Sequence, residues 1–122
     1  LLELFESAGR INDEYSFPVQ VVQFGESLTL VALAGETVVD YSLRLKRELE
    51  GKAVWVAGYS NDVFGYIPSE RVLAEGGYEG GGAMRYSLLP GPFAPGIEQV
   101  IVDKVFELDG KTRSDITRRR TR

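Results

Sequence analysis

Two residue types are missing altogether: the 122-residue chain has no cysteine and no histidine. Without cysteine, neither a disulfide framework nor a thiolate metal site can form. Without histidine, the chain lacks the commonest metal ligand and the commonest general base near neutral pH. Its chemistry is left to carboxylates, tyrosines, hydroxyls and lysine, or to groups supplied from elsewhere. No apolar run approaches the roughly 18 residues that would cross a bilayer. The opening Leu1-Leu2-Glu3-Leu4-Phe5-Glu6 carries acid where an export signal carries base. The first residue is Leu rather than Met, so a sequence cut, processed or recorded from mid-gene is expected.

What is present has the balance of an ordinary globular protein, with 43% hydrophobic and 26% charged residues. The charge is unevenly spread. Lys111 to Arg122 holds six basic residues and one acid, Asp115, and so carries +5 of a total of −4, which leaves −9 for the body. A basic end can attract nucleic acid or anionic lipid. The plainer expectation is a solvated terminus that binds no nucleic acid.

Apolar periodicity predicts a short helix over Leu1–Ala8, closed by Gly9, and then a loop at Asn12–Glu14. Strands follow at Pro18–Phe24 and Ser27–Leu33, joined by a two-residue Gly25-Glu26 turn. Leu28-Thr29-Leu30-Val31-Ala32-Leu33 is nearly all apolar, as in a strand buried on both faces. A helix follows Ala34-Gly35-Glu36, with Val38, Tyr41, Leu45 and Leu49 on one stripe, widened by Val39 and Leu43. Lys46 and Arg47 suit its C-terminal end, and Gly51 supplies the stop. Ala53–Gly58 reads as another fully buried strand, and Pro68-Ser69 starts a short helix over Glu70–Ala74.

The glycines at 76, 77, 80, 81 and 82 lack the strand–loop–helix context, lysine and hydroxyl of a phosphate loop. Pro90, Pro92 and Pro95 mark an extended link to a last helix bearing Ile97, Val100, Ile101, Val105 and Leu108, broadened by Val102 and Phe106. The order predicts an α/β fold, a mixed sheet layer flanked by helices. These helices are too few to cover such apolar strands, so an incomplete part of a larger α/β domain is expected over 1–110, with a disordered basic tail at 111–122.

Two positions can carry chemistry. Glu36 stands where a buried strand ends, and ligand sites in α/β proteins favour the carboxyl ends of strands. The adjacent Gly35 lets a metal or substrate approach the backbone. On position alone, the plainer reading is a first-turn carboxylate that complements the helix dipole. Tyr66 lies in a loop after the other buried strand, so the two loops can open on the same edge. Its plainer reading is a core tyrosine beside a turn.

Three segments in order, Leu33-Ala34-Gly35-Glu36, then Gly58-Tyr59-Ser60-Asn61 with Tyr66, then Gly77-Tyr78-Glu79, resemble the neutral/alkaline non-lysosomal ceramidases and their bacterial relatives. That family shows a Pro-Gly-Glu element, a Gly-x-x-Asn-x-x-x-x-Tyr stretch and a Tyr-Glu pair. The resemblance covers about Phe17 to Tyr86. Ala34 replaces the family's proline, and a basic tail stands where the family has an immunoglobulin-like domain.

The resemblance implies a catalytic zinc held by two upstream histidines, by Glu36 and by Tyr66. Tyr59 is the competing tyrosine, with a poorer fit just before Ser60-Asn61, and its substitution is expected to matter little. The resemblance further implies hydrolysis of the N-acyl amide of a ceramide-like lipid, and export to the periplasm or outside the cell. With both histidines missing, this chain by itself is expected to be inactive. It would act with the remainder of a catalytic domain or self-associate. The alternatives are a non-catalytic binding or assembly module with the same fold, and an anionic-surface binder working through the basic tail.

Overall fold

Alternation of exposed and half-buried residues sets the first strand, β1, at Val19–Phe24. A computed structural model of the chain describes residues 14–49, 53–86 and 91–120, with side chains as far as 114. The expected helix at Leu1–Ala8 and the stop at Gly51 lie outside the described residues. Strand β2 (Leu28–Leu33) returns antiparallel, with Phe24 opposite Leu28. The turn therefore has three residues, Gly25-Glu26-Ser27, rather than the expected two. Gly25 enters it at φ +59°, where a side chain is disfavoured.

After β2 come a two-residue strand, β3 (Glu36–Thr37), and helix α1 (Val39–Glu48). The chain then forms β4 (Ala53–Ala57), parallel to β2. A parallel pair needs a crossover, and α1 provides it. The sheet order is β1-β2-β4, a mixed sheet with β2 in the centre. Strand β5 (Tyr66–Ile67) pairs with β3, helix α2 spans Glu70–Glu75, a 3₁₀ turn covers Gly82–Tyr86, and α3 runs from Ile97 to Arg120. The protein is an α/β fold, as its sequence pattern predicts.

One core joins the sheet to both long helices. Val31 and Leu33 of β2 meet Tyr41, Leu45 and Leu49 at α1 and Ile101, Val102 and Val105 of α3. Val19, Val21, Val54 and Val56 close it from the flanking strands. Strand register places these β residues on a single face. Both long helices pack on the same side of the sheet. On the other side, two rows run across the strands: Val22–Leu30–Trp55 and Phe24–Leu28–Ala53. Val22, Phe24 and Trp55 are exposed, Trp55 to 61%. None of the nine side chains on that side is charged.

Strand β2 is fully buried on the covered side but only half-buried at Leu28 and Leu30 on the other, and β4 departs further from the expected burial. Strand β4 is an edge in this sheet, with Ala53 and Trp55 exposed. Val39 and Leu43, read as widening the α1 stripe, face solvent, as do Val100 and, in part, Phe106 on α3. Local spacing could place them on a helix but not decide how wide a face the sheet would cover. The segment expected to be a disordered tail is helical in its backbone through Arg120, because α3 does not stop at Gly110.

Ion pairs pin the helices. Arg44 of α1 bonds Glu98 of α3 at 2.9 Å, and the other Glu98 oxygen accepts from the Glu70 amide at 2.8 Å. Ser69 caps α2 by accepting from the Val72 amide, and it donates to Asp40. Arg71 adds two bonds to Asp40. Arg71 first, and then Ser69, hold the Asp40 carboxyl below its ordinary value.

Candidate functional site

Glu36 does not open α1. It sits in β3, and its register partner in the parallel β5 is Tyr66. The reason is local. Gly35 turns the chain at φ +65°, and a Cβ there would lie 2.7 Å from Ile67 Cγ1 and 2.9 Å from the Gly65 carbonyl oxygen. Only glycine lets β5 come this close. The Glu36 amide then donates to the Gly65 carbonyl at 2.9 Å, and the Val38 amide to Ile67 at 3.2 Å.

The loop between β4 and β5 wraps back over the same turn. The Gly35 amide donates to Asp62 O at 2.8 Å, and the Tyr59 amide to Gly35 O at 2.7 Å. Two non-glycine residues in this loop, Tyr59 (φ +55°) and Asn61 (φ +69°), take the left-handed conformation. Left-handed residues other than glycine gather at functional sites. The loop is held at its outer side as well. Asn61 donates to Gln20, Tyr15 donates to Asp62 at 2.7 Å, and the Tyr15 ring lies on Phe64.

Above this frame the Glu36 carboxylate raises the two neighbouring phenols, Tyr59 and Tyr66. Interaction with Glu36 is the main reason the Tyr59 hydroxyl is pushed up to about 12, with lost solvation adding to it. Tyr66 is raised chiefly by lost solvation, then by interaction with Glu36, and further by Tyr78 and Glu79. The Tyr66 and Tyr78 rings meet edge to face, centroids 5.4 Å apart. All three motif segments therefore converge on one edge of the molecule.

The structure brings together both residues singled out from sequence, Glu36 and Tyr66, and adds Tyr59. The left-handed turn at Tyr59 has no signature in the sequence, because it sits at a residue type that ordinarily avoids that conformation. Asn61, in contrast, turns to Gln20 and is not part of the cluster.

The donor set fits part of a zinc site. Glu36 and Tyr66, register partners across the β3–β5 pair, offer two oxygen donors, whereas a catalytic zinc commonly has three protein ligands and one open position. Among the described residues, no group of three or more histidine, cysteine, aspartate or glutamate side chains is placed to hold a metal.

Beyond the 3₁₀ turn, the glycine cluster and Phe93 wall a cavity of about 710 Å³, with Leu73, Met84 and Arg85 on its lining. No helix among the described residues is long and apolar enough to cross a membrane. No protein-family model, no curated protein and no solved structure matches the chain.

Proposed function

We propose that this chain supplies half of the metal site of a zinc-dependent amide hydrolase resembling the neutral ceramidases, acting on the N-acyl amide of a ceramide-like lipid. Glu36 and Tyr66 are the ligands it contributes, and two histidines come from outside it. The observation that carries the reading is the register of Glu36 against Tyr66 in the β3–β5 pair. Bound there, zinc would supply an activated water and a polarised amide carbonyl. Glu36 contributes the negative charge that holds a cation. Tyr66 holds its phenol beside that charge, where the oxygen can bind the metal or stabilise negative charge developing on the substrate oxygen.

A second reading has support of its own. The open apolar side of the sheet suits a module that assembles with another protein layer and does no chemistry. It also suits the first reading, in which the remainder of a catalytic domain, or another copy, covers the same side.

The test compares Glu36→Ala and Tyr66→Phe in the full-length protein, with zinc content and turnover of a short-chain N-acyl sphingosine as readouts. Glu36→Ala should lose both. Tyr66→Phe should keep most of the zinc and lose about 100–1000-fold in turnover, the usual cost of one such electrostatic donor. Full zinc and full activity in Glu36→Ala would leave the assembly module as the better reading.

A further inference from the structure

We propose that two copies of this chain pair through the free edge of β4, antiparallel about a two-fold axis at Trp55, so that two three-stranded sheets become one continuous sheet. The inference is independent of the zinc-site reading and concerns a surface which that reading does not use.

Strand β4 ends the order β1-β2-β4, and among the described residues no strand pairs with its outer side. One bond fixes which backbone groups are left free. The Ala53 amide donates to the carbonyl of Ser27, just before β2, at 3.3 Å. Backbone polar groups alternate in direction along a strand, so those of Ala53, Trp55 and Ala57 face β2 and those of Val54 and Val56 point outward. Such outward N–H and C=O groups are a template for another strand. Proteins ordinarily guard an edge with charge or proline, and Ala53-Val54-Trp55-Val56-Ala57 has neither.

The geometry singles out one register and one occupant. A second β4 laid antiparallel, with Trp55 opposite Trp55, sets Val54 against Val56 on both sides of the axis. Each of those pairs exchanges two main-chain bonds, because both members point outward. Trp55 meets its copy in a non-hydrogen-bonded pair, where Cα atoms are about 4.5 Å apart and side chains stand closest. That contact covers an indole that is 61% exposed in the single chain.

The helix above the edge fits the same axis. Helix α1 packs on β4 and α3 on β1. Arg44 ties one flank of α1 to Glu98 and Gln99 of α3. The other flank, toward the free edge, carries Val39 and Leu43, 64% and 60% exposed. Joined sheets bring the two α1 helices side by side at about two strand spacings, roughly 10 Å, the distance of packed helices. One self-complementary contact thus covers Trp55, Val39 and Leu43 together, as a two-fold interface requires. It buries roughly 1,000 Å² in all, the lower bound for a specific interface. The β1 edge lacks such a flank, since α3 carries Lys104, Glu107 and Lys111 in ion pairs along its exposed side.

The experiment uses the 122-residue chain, in which an introduced cysteine is the only thiol. The register sets Ala53 opposite Ala57 of the other copy. Ala53→Cys and Ala57→Cys are prepared separately and oxidised mildly, each alone and then mixed. The mixed disulfide should dominate. Either variant with itself holds its thiols on the order of 13 Å apart along the strands, out of disulfide reach. Sedimentation velocity then compares wild type, Leu43→Lys and Val54→Pro. Leu43→Lys, at an exposed position remote from the open side of the sheet, should weaken the dimer about tenfold or more. Val54→Pro removes an outward N–H that the sheet itself does not use, and it should leave a monomer with an unchanged far-UV circular dichroism spectrum.

A wild-type chain that stays monomeric at every concentration overturns the proposal. So does a mixture that cross-links no better than either cysteine variant alone, because the register is then wrong. A dimer that Leu43→Lys leaves intact while Trp55→Lys disrupts it also overturns edge pairing, and assigns the association to stacking of the open sides of two sheets.

Discussion

Glu36 and Tyr66 are register partners in a two-strand parallel pair, and lost solvation and then the Glu36 charge raise the Tyr66 phenol. The pair stands beside, not within, the main sheet. Its position depends on one turn at Gly35, which the loop from β4 to β5 grips on both its amide and its carbonyl.

That turn makes the first prediction. Gly35→Ala puts a Cβ at φ +65°, 2.9 Å from the Gly65 carbonyl. The left-handed backbone alone costs about 1–2 kcal/mol, and the clash requires β5 to move. A destabilisation of about 2 kcal/mol or more is expected in urea unfolding. The Tyr66 ring signal should shift in the same variant. A loss below about 0.5 kcal/mol, the scatter of neutral surface changes, would mean the turn is not under this constraint.

The tie between α1 and α2 gives a pH signature. Arg71 and Ser69 lower the Asp40 carboxyl in the folded state. A lowered folded value contributes stability that is present above the unfolded value, about 3.9, and is lost as pH falls through the folded one. Arg71 is largely exposed, so the contribution is modest, about 1 kcal/mol. Asp40→Asn should be less stable than wild type at pH 7, and the difference should close in strong acid. Urea midpoints across that range check this; a gap that widens on acidification would reverse the assignment.

The uncovered side of the sheet predicts association. With Val22, Phe24 and Trp55 exposed in adjacent rows, the 122-residue chain on its own should self-associate as concentration rises. Trp55→Lys should reduce this while leaving the opposite core untouched. Sedimentation velocity over a concentration series decides. A sharp, concentration-independent monomer for the unmodified chain would count against the open face as an assembly surface.

One buried hydroxyl offers a simple gain. Thr29 is 1% exposed on the covered side, and its Oγ1 has no hydrogen-bond partner. Thr29→Val keeps the shape and removes the unpaired polar atom, so stability should rise by about 1 kcal/mol. Thermal unfolding that moves downward instead would point to a partner for this hydroxyl in solution.

Much of the fold is legible in the chain because it is local. The apolar run of β2, the Tyr41–Leu45–Leu49 stripe and the Ser69 cap are set by residue spacing and by hydrogen bonds a few residues long. Sequence alone also placed Glu36 at a strand end and Tyr66 in the loop after the next strand, and excluded histidine and thiolate chemistry. Tertiary structure decided the rest. Val39, Leu43 and Trp55 are as apolar as their buried neighbours, yet they face solvent, because burial depends on which layers meet and on which strand ends as an edge. Glu36 became a strand residue because β5, distant in sequence, supplies the backbone partners that a helix start would otherwise use. The left-handed conformation of Tyr59 is likewise disfavoured in isolation, and the backbone bonds around Gly35 hold it.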